Sequence, residues 1–270
     1  FQTYGSLTVG EVRCGWGDEC PPLSPWFIRF SNPLDQDAFD PAWIRISPEL
    51  PDLSVSASSN TVTVRGRSAG RTSYEVSIAP DVRDIFGQTL SQEVKRTIKV
   101  GSAYPSFYGP GEGFVVLDPA AEPAYSIFTI NYGSIKVQAY AVQPEDWGAY
   151  QRYLREVFRD ESKITPPGRK VLDKSINTRG EADRLTETRI DLSGLYKEGH
   201  RHLILVVTPE QGLLAALQRR QPPPVRRVWL QMSDLAVDAL ADGSELLAWA
   251  SRLSNGQALS GASLTLYPGQ

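Results

Sequence analysis

The sequence predicts an all-β chain of tandem β-sandwich domains, with one short helix inserted in the second. Three observations carry this reading: short runs of alternating apolar and polar residues, turn formers at close intervals between them, and a single clear stretch of helical periodicity. Period-two alternation puts one face of a strand on a core and the other in water. Several such strands without long helices favour a sandwich over an α/β sheet. A chain of 270 residues, 41% hydrophobic and 22% charged, has room for two or three small sandwich units.

Residues 1–101 read as the first sandwich. Alternating runs occur at Trp26-Phe27-Ile28-Arg29-Phe30, Trp43-Ile44-Arg45-Ile46, Thr61-Val62-Thr63-Val64, Tyr74-Glu75-Val76-Ser77-Ile78 and Arg96-Thr97-Ile98-Lys99-Val100. Between them lie Asn32-Pro33, Ser47-Pro48, 58–60 and Ala69-Gly70, which are turn formers. Residues 101–113, rich in Gly, Pro, Ser and Tyr, read as an interdomain connection. Gly109, Gly111 and Gly113 do not make a phosphate loop. A dinucleotide loop opens a helix, whereas this stretch runs into the strand Phe114-Val115-Val116-Leu117.

The second unit is expected over 102–226, with strands at 114–117, 126–131, 135–142, 187–192 and 202–208. Its helix spans 145–159, where Trp147, Tyr150, Leu154, Val157 and Phe158 recur at helical spacing opposite Gln151, Arg152, Arg155 and Glu156. That stripe reads as packing against the unit's own sheet. Residues 160–184 read as a polar, mobile segment, exposed and cleavable at Lys163, Arg169, Lys170, Lys174 and Arg179. A shorter helix is predicted near Thr208, with Pro209 at its first position and Gln211 completing a capping box. Pro222-Pro223-Pro224, flanked by Arg219, Arg220, Arg226 and Arg227, reads as a stiff solvated linker. From 227 to 270 a three-strand meander is predicted, over 228–240, 246–253 and 262–267, turning at Asp242-Gly243 and Asn255-Gly256. Leu235, Val237 and Trp249 are expected to point inward. The meander is too small to close a sandwich, so it reads as a third domain cut partway. It is predicted to be the least stable region, and uniformly slow amide exchange across all units would count against this.

Charge and motifs narrow the function. A net charge of -3 gives no long-range attraction to nucleic acid or an anionic membrane. Apolar runs such as 203–207 are too short to span a bilayer. The chain starts at Phe1, its one methionine is Met232, and no basic stretch followed by an apolar helix opens it. No signal peptide is therefore expected; the sequence reads as a processed product or an excised fragment. No cofactor motif is present, and no Gly-x-Ser-x-Gly elbow, His-Glu-x-x-His helix or Walker loop appears, so the expectation is that the chain is not an enzyme.

His200 and His202, two apart at a strand start, read as a solvent-facing pair rather than a metal site. Cys14 and Cys20 enclose Gly-Trp-Gly-Asp-Glu. In an exported protein they are expected to pair, closing a ring worth about 2 kcal/mol on the loop-entropy model, with two free thiols as the alternative. Zinc wants about four ligands, and only Asp18 and Glu19 lie near the cysteines in sequence.

The C-terminal run carries a family resemblance. It reads Trp229-Leu-Gln-Met-Ser-Asp234-Leu-Ala-Val-Asp238-Ala, then Asp242-Gly243, Leu246-Leu-Ala-Trp249 and Leu253-Ser-Asn255-Gly256-Gln-Ala-Leu259-Ser-Gly261-Ala-Ser-Leu-Thr-Leu266-Tyr267. This resembles the opening strands of a macroglobulin domain in the bacterial α2-macroglobulin family. Phe114 to Asp118, Ile135 to Tyr140 and Ile190 to Tyr196 are similar to the domain that precedes it. Phe30-Ser-Asn-Pro-Leu-Asp35, Tyr74 to Ile78 and Asp84-Ile-Phe-Gly-Gln-Thr-Leu90 resemble a bacterial immunoglobulin-like domain. The resemblance implies tandem immunoglobulin-like and macroglobulin sandwiches at 1–101, 102–226 and 227–270.

It also implies a scaffold part of a protease trap, placed in the periplasm or on the cell surface and anchored to the membrane through a segment outside this chain. Its partners would be target proteases, met through the full-length parent, neighbouring macroglobulin domains and an envelope-bound protein. The family's thioester needs Cys-x-Glu-Gln, but Cys14 is followed by Gly-Trp-Gly and Cys20 by Pro-Pro, so none forms here. The family's bait lies further downstream than 160–184. The rival reading is an immunoglobulin-like adhesin or surface-binding array, which tends to repeat one domain, whereas these units differ in length and pattern.

Overall fold

Strands with strict alternation become strands buried on one face. The computed structural model describes residues 4–14, 20–111, 113–157, 164–210 and 224–265. They fall into two units, Phe1–Tyr104 with Glu181–Arg184, and Pro105–Gly180 with Leu185–Gln270. The fold is all-β, with immunoglobulin-like sandwiches and little helix.

The first unit contains β1 (Val9–Cys14), β2 (Trp26–Phe30), β3 (Ile44–Ser47), β4 (Ser54–Ser58), β5 (Thr61–Arg65), β6 (Thr72–Ile78) and β7 (Val94–Val100). They form two antiparallel sheets, ordered β1-β2-β5-β4 and β3-β6-β7. Trp26, Ile28 and Phe30 of β2 meet Val62 and Val64 of β5 and Tyr74, Val76 and Ile78 of β6 in a single core. Each fully buried side chain of this size contributes about 1.5–3 kcal/mol. Trp43 lies in a 3-10 turn, Pro41–Trp43, whose Ala42 N–H donates to the Asp40 carboxylate, so the third strand begins one residue later than expected.

The second unit holds β8 (Ser106–Tyr108), β9 (Gly113–Leu117), β10 (Ala124–Ile130), β11 (Ser134–Ala141), α1 (Trp147–Val157), β12 (Arg169–Asn177), β13 (Thr186–Asp191), α2 (Ser193–Lys197), β14 (His202–Glu210), β15 (Arg226–Met232), β16 (Leu235–Ala241) and β17 (Leu246–Arg252). One sheet runs β13-β10-β8 and a larger one β12-β11-β14-β15-β9. β15 lies parallel to β9, pairing Trp229 with Phe114. Three layers result. Ile135, Val137, Leu203, Leu205, Val207, Val228 and Leu230 fill the space between the sheets. Tyr140, Ile204, Val206 and Trp229, on the opposite face of the larger sheet, pack against Tyr150, Tyr153 and Val157 of α1.

Several expectations are corrected. Residues 101–113 are more than a connection, because β8 pairs with β10. Segment 160–184 contains β12, which pairs with β11 from Arg169 to Asn177. Charged residues dilute its apolar pattern, and cross-strand partners hold them: Lys136 and Lys170 pair with Asp173, and Ser175 Oγ donates to Glu210 Oε1 at 2.8 Å. Residues 208–210 are not a helix start but the end of β14; beyond Val207 that strand has no β15 partner, which suits Pro209.

The strand expected over 228–240 is two strands, parted at Ser233-Asp234, where the Leu235 N–H donates to Ser233 Oγ. β15 does not open a third unit at 227; it is hydrogen-bonded between β14 and β9. The strand expected at 262–267 is absent across 261–265, and 266–267 lie outside the described residues. The helix expected from 145 runs Trp147–Val157 after a 3-10 turn, Pro144–Asp146, and Phe158 and Arg159 lie outside the described residues.

Candidate functional site

Cys14 ends β1, and a disulfide joins it to Cys20 across a Cα separation of 5.3 Å. Cys20 is buried, and its carbonyl accepts the Gly101 N–H at 2.8 Å, which ties the ring to the end of the sandwich.

The two histidines have different surroundings. His200 precedes β14 and lies 3.7 Å from Glu198. His202 is no solvent-facing residue: its ring lies 5.9 Å from that of Trp229, and its buried Nδ1 has no hydrogen-bond partner. Burial pushes its pKa below the ordinary 6.5, against a smaller opposing pull from Glu145. Among the described residues no three His, Cys, Asp or Glu side chains gather as metal ligands, and no helix is long and apolar enough to cross a membrane.

The helix-covered face of the larger sheet is aromatic. Trp147 meets Phe114 and Trp229 edge-on, with centroids 5.7 and 5.3 Å apart, and is 39% exposed rather than sealed in the packing stripe. Tyr150 donates its hydroxyl to the Gly113 carbonyl at 3.0 Å, and Arg227 Nε donates to Tyr153 Oη at 3.1 Å. Burial drives the Tyr150 phenol far above its usual range, so it stays a neutral donor. Tyr125 is shifted up for the same reason and donates to the Pro110 carbonyl at 2.8 Å, fixing the glycine-rich stretch as a structural turn. On an exposed face, hydrogen bonds from Lys136, Gln138 and Lys170 hold Asp173 well below the usual carboxylate range. Held ionised by those three donors, it is a poor proton acceptor at neutral pH.

Sequence reasoning missed one further site. A cleft of about 570 Å³ is lined by Lys174, Ile176, Thr178 and Arg179 from one side and Glu187, Thr188 and Arg189 from the other. It lies between β12 and β13, each the last strand of its sheet. Lys174 shares a strand face with Leu172 and Ile176, opposite buried Val137, yet its own side chain is exposed at the edge of that face. That signal becomes readable only once 169–177 is known to be a strand.

β16 and β17 form an isolated hairpin with exposed Leu235, Val237, Leu240, Leu247 and Trp249. Leu235, Val237 and Trp249, expected to point inward, meet no second sheet among the described residues.

No protein-family model matches the sequence, and no curated protein matches it. Solved structures do. A crystal structure of native α2-macroglobulin from Escherichia coli spanning domains MG0-NIE-MG1 is 18% identical, with TM-score 0.52 over 94% of this chain and 80% of that one. The native conformation of the E. coli protein, solved by cryo-electron microscopy, gives 16% identity and TM-score 0.52 over 94% of this chain and 16% of that one. A Salmonella α2-macroglobulin mutant, Y1175G, gives 14% identity and TM-score 0.59 over 95% of this chain and 16% of that one. The chain thus spans about one sixth of the longer proteins. Along nearly its whole length it shares the fold of bacterial α2-macroglobulin structures.

Proposed function

We propose that this chain is a scaffold segment of a longer, α2-macroglobulin-type protease trap in the bacterial envelope. The observation that supports this most is the end-to-end fold match, 94–95% of the chain in its own order, to E. coli and Salmonella α2-macroglobulins. The resemblance of the 229–267 run to a macroglobulin opening strand pair points the same way.

In this reading the two packed units hold their shape while the trap rearranges, and the exposed apolar hairpin is a joint to neighbouring macroglobulin domains. Target proteases are met only through the full-length protein. The segment itself has no chemistry to perform: its cysteines are joined to each other, and neither lies in a Cys-x-Glu-Gln stretch. A disulfide suits an oxidising compartment such as the periplasm or cell surface.

Sequencing the reading frame on either side of this segment tests the proposal. Further sandwich domains of the macroglobulin pattern, with or without Cys-x-Glu-Gln, support it. Tandem repeats of the first unit would sink it and favour a surface-binding array.

A further inference from the structure

We propose that the β12–β13 cleft is a docking site for an extended acidic peptide segment, laid along the free edge of β12 with its carboxylates on Lys174 and Arg179.

Sheet edges carry the first part of the argument. β12 ends the five-stranded sheet and β13 ends the three-stranded one, so among the described residues each leaves one side of its backbone unpaired by strand. A free edge is a template for an added strand, which gains main-chain hydrogen bonds there and side-chain selectivity at alternate positions. The cleft, about 570 Å³ and open to solvent, exceeds what one small oxyanion fills.

Charge sets the selectivity. Lys174 stands on the strand face that carries Leu172 and Ile176, but at the rim, where its side chain stays exposed. A lysine on an edge strand blocks indiscriminate pairing, because a neutral incoming strand would cover its ammonium without a partner. A strand bearing a carboxylate opposite Lys174 removes that penalty, so the guard becomes a filter.

Arg179 stands at the end of the same edge in a left-handed conformation, φ 52°, with its N–H donating to Asn177 Oδ1 at 2.9 Å. Neither Lys174 nor Arg179 has an ion-pair partner among the described residues. The other charges on the rim are engaged: Arg189 with Glu122, and Glu187 with Ser126 Oγ at 2.6 Å. Lys174 and Arg189 together also help to keep the nearby Asp191 carboxyl low, after the larger effect of its hydrogen bonds from Ser193.

The last observation is an orphan. Thr188, 7% exposed, lines the cleft, and its buried Oγ1 has no hydrogen-bond partner. Buried hydroxyls are nearly always satisfied. A peptide carbonyl or carboxylate in the cleft supplies the missing acceptor.

The test uses the full chain and a fluorescein-labelled hexapeptide alternating valine and glutamate, read by polarisation at low salt, with its valine–lysine counterpart as control. Saturable binding of the glutamate peptide alone is expected, weakened tenfold or more in both Lys174→Glu and Arg179→Glu. Hydrogen exchange is expected to slow at β12 amides when the peptide is present. Both side chains lie at the surface, so circular dichroism should find the variants folded; Lys174→Gln and Arg179→Gln stand in if either is not. Absence of saturable binding, binding unchanged in the folded variants, or competition by inorganic phosphate as strong as by unlabelled peptide would each overturn the proposal.

Discussion

β2 of the first unit and β14 of the second are both central strands, yet they bury different things. β2 alternates: Trp26, Ile28 and Phe30 are sealed while Arg29 faces solvent. β14 buries every residue from Leu203 to Val207. The difference lies in what covers the far face. Among the described residues nothing equivalent to α1 packs outside the first sandwich, whereas in the second α1 brings Tyr150, Tyr153 and Val157 down onto Ile204, Val206 and Trp229. An alternating strand thus reports two layers, and an unbroken apolar strand reports three.

Substitutions can break this comparison. The largest effect is expected for Trp229→Ala, which empties the layer between helix and sheet. It should lower the stability of the second unit by about 3–5 kcal/mol while leaving the first unit's unfolding transition in place. A loss below about 1 kcal/mol in a denaturant titration would mean that the helix layer is not packed.

Adjacent positions give the next test. Leu203→Ala and Ile204→Ala should each cost about 2–5 kcal/mol, because both faces of β14 are core. In β2, Ile28→Ala should cost a similar amount, whereas Arg29→Ala should stay within about 0.5 kcal/mol. Equal costs at Ile28 and Arg29, or a cost below about 1 kcal/mol at either Leu203 or Ile204, would contradict the layer count.

A smaller effect is expected from His202, which titrates against the helix layer. Its folded pKa is depressed, so the neutral ring is the form the fold accepts. Above its ordinary value both folded and unfolded chains hold it neutral. As the pH falls through about 6.5 the unfolded chain takes up the proton first, and the second unit loses stability. Urea midpoints measured from about pH 7.5 down to about pH 5 should fall in the parent and fall less in His202→Gln. An identical slope in both would remove His202 from the account.

Much of the first unit was legible, because alternation survives where one face is wet. β1 and β4 were not: β1 shifts register between Val9 and Val12, and β4 is Ser-Val-Ser-Ala-Ser, too polar to signal a core. In the second unit the helix and the apolar strands could be read. β12 was hidden by its charges, and with it the cleft, since Lys174 reads as any surface lysine until its neighbours on the strand face are known. The instability expected of 227–270 now narrows. β15 lies inside a sheet, and among the described residues only β16 and β17 stand apart, as a two-stranded hairpin of marginal intrinsic stability. Amide exchange should be slow in β15 and fast in β16 and β17; equal protection in all three would show that the hairpin's apolar residues are covered.

The scaffold reading is tested most directly by protease capture. On the proposed reading, the longer protein carrying this segment would be mixed with trypsin, and hydrolysis of casein compared with that of a small chromogenic peptide. The account predicts that casein hydrolysis falls while small-peptide hydrolysis persists, as for a caged protease, and that this segment alone changes neither. Equal loss of both activities with the full-length protein, no loss of either, or inhibition by the segment alone would contradict it.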